Sequence, residues 1–294
     1  MIELIEISKQ FDSITAVEGV SIKVEPGRIN GFLGPNGAGK TTSIRMLMNI
    51  IHPDSGSILF KGKTERPAAH HIGYLPEERG LYQKISVLET LQYFAQLRNV
   101  RNVDHKIKRY LDQFGLGDRI HAKVSELSKG NQQKLQFINT ILHDPEYVVL
   151  DEPFSGLDPV NQLLLKGILE EMKTAGKTII FSSHQMDQVE KICDDVALID
   201  RGKLILSGPL NEIKKTHTDT WLQITPEQES DLQHAFFGDH GAEVRGGSAF
   251  IKPESHDKQK LIAQANERFD LRAIKMVEPG LEDIFIDLVK GNQI

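Results

Sequence analysis

A glycine-rich stretch, GPNGAGKTT at residues 34–42, has the residue types and the spacing that bind phosphate. It fits the pattern G-x-x-x-x-G-K-[S/T], in which glycines let the backbone wrap closely enough for its N–H groups to face a β-phosphate. Lys40 offers a positive charge to the phosphates, and the hydroxyl of Thr41 is a ligand for Mg2+. We therefore predict a nucleotide site with these ligands: Gly34, Pro35, Asn36, Gly37, Ala38, Gly39, Lys40, Thr41 and Thr42.

Two adjacent carboxylates end an apolar segment, YVVLDEP. Asp151 suits the binding of Mg2+, and Glu152 suits a general base that polarises an attacking water. By themselves, two such acids are equally typical of a solvated turn, but the phosphate loop favours the catalytic interpretation. His184 ends the next apolar segment, TIIFSSH. A lone histidine is more often a buried structural residue, whereas on a neighbouring strand end it would reach a γ-phosphate.

A second stretch, LSKGN at residues 127–131, precedes a segment whose apolar residues have helical spacing. Ser128 and Gly130 therefore lie where a helix begins. A helix start exposes unpaired N–H groups and the positive end of the helix dipole, and for this reason it binds anions. Because one nucleotide needs only one loop of this kind, the residues alone leave open what this second site binds.

The elements around these residues are typical of an α/β domain. INGFLG, before the phosphate loop, has the character of a buried strand, and TTSIRMLMNII after it has helical spacing. Short alternating strands at residues 3–7 and 20–24 precede both. From residue 86 to residue 143 the pattern is helical, and Ser86 with Glu89 forms a capping box at its start.

Length and composition narrow the class of protein. A chain of 294 residues is long enough for one large and one smaller domain. Its 39% hydrophobic and 26% charged residues exclude wholesale disorder, and no apolar run approaches the roughly 18 residues of a membrane span. The start, MIELIEISKQF, lacks the layout of a secretory signal, and the single cysteine, Cys193, cannot form an internal disulfide. We expect a cytoplasmic protein with Cys193 buried in its core.

The last part of the chain differs from the rest. Residues 216–294 hold 8 Lys and Arg against 14 Asp and Glu, and so they account for the net charge of −6. We predict a separate small α+β domain here, with Trp221 and the aliphatic residues of 281–289 in its core. No broad basic face is evident along the chain, so we expect no nucleic-acid partner.

Taken together, these motifs resemble one family. GPNGAGKTT, a helical insertion, LSKGNQQ, VVLDEP, SGLD and SSH occur in the order and spacing of the ATP-binding subunits of ABC transporters, over residues 3–215. The resemblance implies an ATPase that uses ATP and Mg2+. It implies a P-loop NTPase core of the ABC-cassette type over residues 1–215, with an antiparallel β subdomain and an inserted helical subdomain at 86–145. Residues 216–294 would be an accessory domain.

The resemblance also implies roles for individual residues. LSKGN becomes the family's signature motif, and in this family two cassettes pack head to tail. Ser128 and Gly130 would then cap the γ-phosphate of an ATP held by the other subunit, which explains the second anion site. His184 becomes the switch histidine, and residues 155–158 become the D-loop. Phe11 falls where the family stacks an aromatic ring on adenine, although a single phenylalanine is more often a core residue.

Three positions depart from the family pattern. The usual signature has glycine and glutamine where this chain has Lys129 and Asn131, and we keep Asn131 as a nucleotide contact. Lys129 either adds positive charge near the γ-phosphate or points to solvent. Glu77, in LPEERGLY, stands where the family has a glutamine. Its carboxylate is a candidate ligand for Mg2+ and for the catalytic water, but while ionised it cannot donate the hydrogen bond of the amide.

Within the family, LPEERGLY, LSKGNQQK and the acidic tail ending in LEDIFIDL resemble the branch that serves two-component exporters of the sodium-extrusion and drug-efflux kind. This branch implies a subunit at the inner face of the membrane that drives a separately encoded membrane permease. We expect it to pair with a second ATP-binding subunit as a homodimer, and the residues leave a heterodimer open. A coupling helix of that permease would dock beside Glu77 and the helical block. The transported substrate is not encoded in these residues.

The alternative is a soluble ABC ATPase that acts on ribosomes or DNA. The ribosome-acting kind usually carries two cassettes and a basic linker, and the DNA-repair kind carries a long coiled coil. The sequence has neither feature. A GTP-binding switch would require an N-K-x-D motif, which the sequence lacks.

Overall fold

A computed structural model describes residues 1–78, 80–216, 221–252 and 258–291 of the chain. The chain divides into two compact units, Met1–Leu210 and Asn211–Ile294. Within the described ranges, the helices are too short or too polar to cross a membrane.

The first unit contains two sheets and a block of helices. Its strands are β1 (Ile2–Phe11), β2 (Ile14–Val24), β3 (Arg28–Leu33), β4 (Ser55–Phe60), β5 (Ile72–Leu75), β6 (Tyr147–Asp151), β7 (Thr178–Ser183), β8 (Asp195–Asp200) and β9 (Lys203–Pro209). Its helices are α1 (Lys40–Leu47), α2 (Val87–Leu97), α3 (Asp104–Gln113), α4 (Lys129–Ile141), α5 (Pro159–Thr174) and α6 (Met186–Glu190). A further helix, α7 (Leu210–Thr216), begins at the last residue of the first unit.

The larger sheet has the strand order β5-β6-β7-β3-β8-β9, in which only β9 runs antiparallel to its neighbour. Every residue of β6 and β7 is buried, as expected for parallel strands that are covered on both faces. In the parallel register, Leu33 pairs with Ser183 and Asp151 with Ser182. The carboxyl ends of β3, β6 and β7 therefore meet at one edge of the sheet, where ligands bind in folds of this kind.

The smaller sheet is antiparallel, with the order β2-β1-β4. Its inner face joins the core of the larger sheet, and the ring of Phe60 meets that of Tyr147 edge-on at a centroid distance of 5.2 Å. The helices α2, α3 and α4 lie between β5 and β6 in the chain, and the predicted capping box of Ser86 and Glu89 at the start of α2 is confirmed. The predicted α/β class with an inserted helical block is therefore confirmed.

Cys193 is buried against β3 in the first unit, as predicted. Burial raises the pKa of its thiol. Only a glycine fits opposite it at position 31, because a Cβ on Gly31 would lie 2.8 Å from the Cys193 sulfur and 2.7 Å from Val189. The cysteine therefore acts as a packing residue.

The second unit is a β-α-β-β-α-β arrangement followed by one helix. Its elements are β10 (Trp221–Pro226), α8 (Ala235–Asp239), β11 (Glu243–Arg245), β12 (Ser248–Ile251), α9 (Lys258–Arg268), β13 (Leu271–Val277) and α10 (Leu281–Gly291). The sheet is antiparallel with the order β11-β12-β10-β13, the ferredoxin-like order. Trp221, Leu281 and Ile284 are buried, so the predicted core residues are confirmed at these positions.

Packing between β5 and α4 gives a test of the fold. Gly73 of β5 leaves no room for a side chain, because its Cβ would lie 2.4 Å from the carbonyl oxygen of Thr140 on α4. Gly73→Ala should therefore lower the free energy of unfolding by about 1–3 kcal/mol, as overpacking does. Urea unfolding followed by circular dichroism measures this loss.

Gly167→Ala is the matched control. Gly167 lies within α5, and its Cβ would meet nothing within 4 Å. The same substitution there should raise the free energy of unfolding by about 0.5–1 kcal/mol, because alanine favours a helix over glycine. Equal stability changes at the two positions would contradict the packing of α4 on β5.

Candidate nucleotide site

The phosphate loop connects β3 to α1, which begins at Lys40. All three of its glycines have positive φ angles: 149° at Gly34, 80° at Gly37 and 107° at Gly39. A Cβ on Gly34 would lie 2.1 Å from the carbonyl oxygen of Ile199, and one on Gly39 would lie 2.4 Å from that of Ala16. Glycine is therefore required both by the backbone conformation and by the close approach of neighbouring chain segments.

Lys40 is only 6% exposed and turns back over the loop. Its Nζ donates hydrogen bonds to the carbonyl oxygens of Gly34 (2.7 Å) and Pro35 (3.0 Å). Burial lowers the pKa of Lys40, while the negative charges of Glu152 and Asp151 oppose this shift. The loop thus holds a cation close to the two carboxylates at the end of β6.

Asp151 ends β6 and is 1% exposed. Its Oδ1 accepts hydrogen bonds from the hydroxyls of Thr41, at 3.3 Å, and Ser182. Its Oδ2 is buried and has no hydrogen-bond partner among the residues that the structure describes. A buried carboxylate oxygen next to a threonine hydroxyl is the oxygen chemistry that Mg2+ prefers, so these two residues fit a magnesium ion.

Glu152, the residue after β6, has a φ of 49°, in the left-handed region that non-glycine residues rarely adopt. Its N–H donates to the hydroxyl of Ser182 at 3.1 Å. Its Oε1 lies 2.8 Å from Nδ1 of His184, which follows β7. Because an ionised carboxylate only accepts, Nδ1 carries the proton in this bond. The pair holds a carboxylate at the mouth of the site, where it can accept a proton from water.

A cavity of about 300 Å3 lies over the phosphate loop and extends to the segments that follow β5 and β6. It is lined by residues of the loop, of β2 and of the segments after β5 and β6: Ala16, Asn36, Gly37, Gly39, Lys40, Thr41, Thr42, Glu77 and Glu152. The structure therefore places Glu77 and Glu152 beside Lys40. Glu77 is exposed at this surface.

Other predicted site residues lie outside the cavity lining. Ser128 caps α4, where its hydroxyl accepts the N–H of Asn131 at 3.2 Å, and the Ser128 side chain is exposed. A Cβ on Gly130 would lie 3.0 Å from the carbonyl oxygen of Gly156, so the start of α4 lies beside the predicted D-loop. Phe11 is 46% exposed at the end of β1. Ser128 and Phe11 are thus exposed to solvent, Gly130 and Asn131 are half-buried, and none of the four lines the cavity over the phosphate loop.

Sequence reasoning missed two residues of the site. Ser182 is fully buried and bonds both Asp151 and the backbone of Glu152. Its only signal was its place near the end of an apolar segment, opposite Asp151 if β6 and β7 are parallel neighbours. Ala16 lines the cavity from the small sheet. An alanine in a strand carries no signal for such a role.

Two family models match the sequence. One, described as ABC transporter, matches residues 17–155, and the other, described as ATP-binding protein DrrA1-3-like, C-terminal domain, matches residues 208–289. Together they fall on the phosphate-loop unit and on the smaller unit that follows it.

Individual ABC transporter ATP-binding proteins are also similar to the chain in sequence. The chain is 39% identical to YhaQ, an uncharacterized ABC transporter ATP-binding protein of Bacillus subtilis (strain 168), over 98% of both chains. It is 34% identical to the ABC transporter ATP-binding protein NatA of the same strain, over 80% of this chain and 96% of NatA. It is 32% identical to the bacitracin transport ATP-binding protein BcrA of Bacillus licheniformis, over 100% of this chain and 99% of BcrA.

A solved structure shows the same fold. The structure of an ATP binding subunit of an ABC transporter matches with a TM-score of 0.68 at 27% identity, covering 74% of this chain and 92% of that chain. Sequence relatives, family models and fold thus lead to one conclusion. The chain belongs to the family of ABC transporter ATP-binding proteins, which are ATPases that power transport.

Proposed function

We propose that two copies of this chain bind two ATP molecules head to tail and drive a separately encoded membrane permease in export. The observation that supports ATP hydrolysis at this site is the cavity that joins Lys40 to Glu152, with His184 bonded to that carboxylate. Residues 1–215 form the cassette in this proposal, and residues 216–294 form an accessory domain. The chain then lies at the inner face of the membrane through its permease.

Each step of ATP binding and hydrolysis is assigned to residues in or near the cavity. The N–H groups of the glycine-rich loop and the charge of Lys40 bind the phosphates, as in other phosphate loops. Glu152 accepts a proton from the water that attacks the γ-phosphate, and His184 orients the carboxylate through its Nδ1–H. Phe11, which is exposed at the end of β1, stacks on the adenine.

Thr41 and Asp151 would hold Mg2+, since one supplies a hydroxyl and the other a buried carboxylate oxygen. When bound, the ion neutralises charge on the phosphates. Glu77 lines the same cavity and is a third candidate ligand, and it also lies near the attacking water in this proposal.

The proposed dimer gives the start of α4 its function. Ser128, Gly130 and Asn131 lie outside the lining of their own chain's cavity, and the helix start that they form is suited to a phosphate. In a head-to-tail pair they would contact the γ-phosphate bound by Lys40 of the other copy. Lys129, which is exposed beside them, would add positive charge there.

A contact with a permease is supported by exposed apolar side chains on the first helix of the helical block and just before it. Tyr82, Tyr93 and Leu97 are 53%, 42% and 61% exposed, and the ring centroids of the two tyrosines are 5.8 Å apart. Tyr82 follows shortly after Glu77 in the chain, so a permease helix that contacts this surface would lie close to the nucleotide site. Export is supported by the resemblance to two-component exporters and by the similarity to BcrA, whose name records bacitracin transport.

Lys40→Ala tests the phosphate loop. The substitution removes a charged contact to phosphate worth about 1.5–3 kcal/mol, so ATP affinity should fall by about 10- to 150-fold. Equilibrium titration with ATP measures the loss, and Lys106→Ala, which removes an exposed lysine from α3, is the matched control. Wild-type affinity in a Lys40→Ala chain with a native circular-dichroism spectrum would rule out this site.

Glu152→Gln tests the general base. The amide keeps the shape of the side chain but cannot accept the proton, so hydrolysis should fall by about 10²- to 10⁴-fold while ATP binding persists. An ATP-bound dimer should then accumulate in size-exclusion chromatography with ATP and Mg2+. Glu171→Gln, at an exposed position on α5, should hydrolyse ATP at the wild-type rate. A Glu152→Gln chain that binds ATP and stays monomeric would contradict the proposed dimer.

A further inference from the structure

Helix α4 is bonded to the segment that carries Glu77. Gln136 of α4 is 4% exposed, and its Nε2 donates to two backbone carbonyl oxygens, that of Pro76 at 3.3 Å and that of Glu78 at 3.2 Å. One turn later, the hydroxyl of Thr140 lies 3.3 Å from the carbonyl oxygen of Tyr74 in β5. One face of α4 therefore follows β5 and the chain that leaves it.

The chemistry of this contact permits one orientation of the amide. Two carbonyl oxygens only accept hydrogen bonds, so the NH2 group of Gln136 must face them, and it has two hydrogens to give. The Oε1 atom is correspondingly turned away, buried and without a hydrogen-bond partner among the residues that the structure describes. Burying a polar atom without a hydrogen-bond partner costs free energy, so this orientation does not serve stability alone.

We propose that Gln136 is a positioning residue for Glu77. It bonds the backbone carbonyls of the residues before and after Glu77, and so it holds the segment that presents the Glu77 carboxylate to the nucleotide cavity. This inference rests on the proposed role of Glu77 in ATP hydrolysis. It also gives a mechanical consequence, because Ser128 begins the same helix about 12 Å away, at about 1.5 Å per residue.

Helix α4 connects two parts of the proposed site. Ser128 lies at its start, and Gln136 in its middle bonds it to the Glu77 segment. A shift of the helix start on contact with a second chain's ATP would therefore also move Glu77. Contact of a permease with the Glu77 segment would move Ser128 in turn.

A double-mutant cycle in the purified chain tests the positioning role. Gln136→Met keeps the length of the side chain but removes both hydrogen bonds, and kcat for ATP with Mg2+ should fall about tenfold, as for other residues that orient a catalytic group, with little change in KM. In the Glu77→Ala chain, the same substitution should cause no further fall, because its target is gone. Gln136→Asn, which keeps the amide but shortens its reach, replaces Gln136→Met if that chain fails to fold.

Gln92→Met is the matched control. Gln92 lies in the same helical block and donates a hydrogen bond to Asp104 at 2.9 Å, away from Glu77. The Gln92→Met chain should hydrolyse ATP at the wild-type rate. If Gln136→Met lowers kcat equally with and without Glu77, or leaves it unchanged while Glu77→Ala lowers it, the positioning role is wrong and the proposed function stands. If Glu77→Ala itself hydrolyses ATP normally, the proposed role of Glu77 fails, and the positioning role fails with it.

Discussion

The geometry of the nucleotide site depends on one buried carboxylate, that of Asp151. A carboxylate that is 1% exposed needs hydrogen-bond donors, and the hydroxyls of Thr41 and Ser182 supply them. Thr41 lies in the first turn of α1, so this bond fixes the phosphate loop against the end of β6. Ser182 in turn accepts the N–H of Glu152. The positions of Lys40, Glu152 and the end of β7 therefore follow from the same carboxylate.

The sequence predicted the parts of this arrangement that are local. Glycine spacing predicted the loop, apolar segments predicted the buried strands, and polar residues at the segment ends predicted which edge of the sheet carries the site. The roles of Ser182 and Gln136 were not predictable, because they depend on contacts between segments 31 and about 60 residues apart. The same holds for the pairing of β10 with β12 and β13, which no short pattern specifies.

In the proposed function, the site of a single chain is incomplete. Its cavity has the loop and the two carboxylates on one side, and the helix start at Ser128, suited to a phosphate, lies outside the lining. The proposed head-to-tail dimer completes each site with the start of α4 from the other copy. The hydrogen bonds of Gln136 connect that helix to the segment of Glu77, which lines the cavity of its own chain. In this account ATP binding, dimer formation and contact with a permease all act on α4 and the Glu77 segment bonded to it.

The central claim, that Ser128 serves the ATP of another chain, is tested by mixing two defective chains. Both carry Glu152→Gln, and one also carries Lys40→Ala and the other Ser128→Arg. In a mixed dimer the two defects share one site and leave the other intact, so the mixture should retain about one occluded ATP per mixed dimer, and neither chain alone should retain any. Occlusion by the Ser128→Arg chain alone, or none in a mixture whose chains verifiably exchange, would contradict the account.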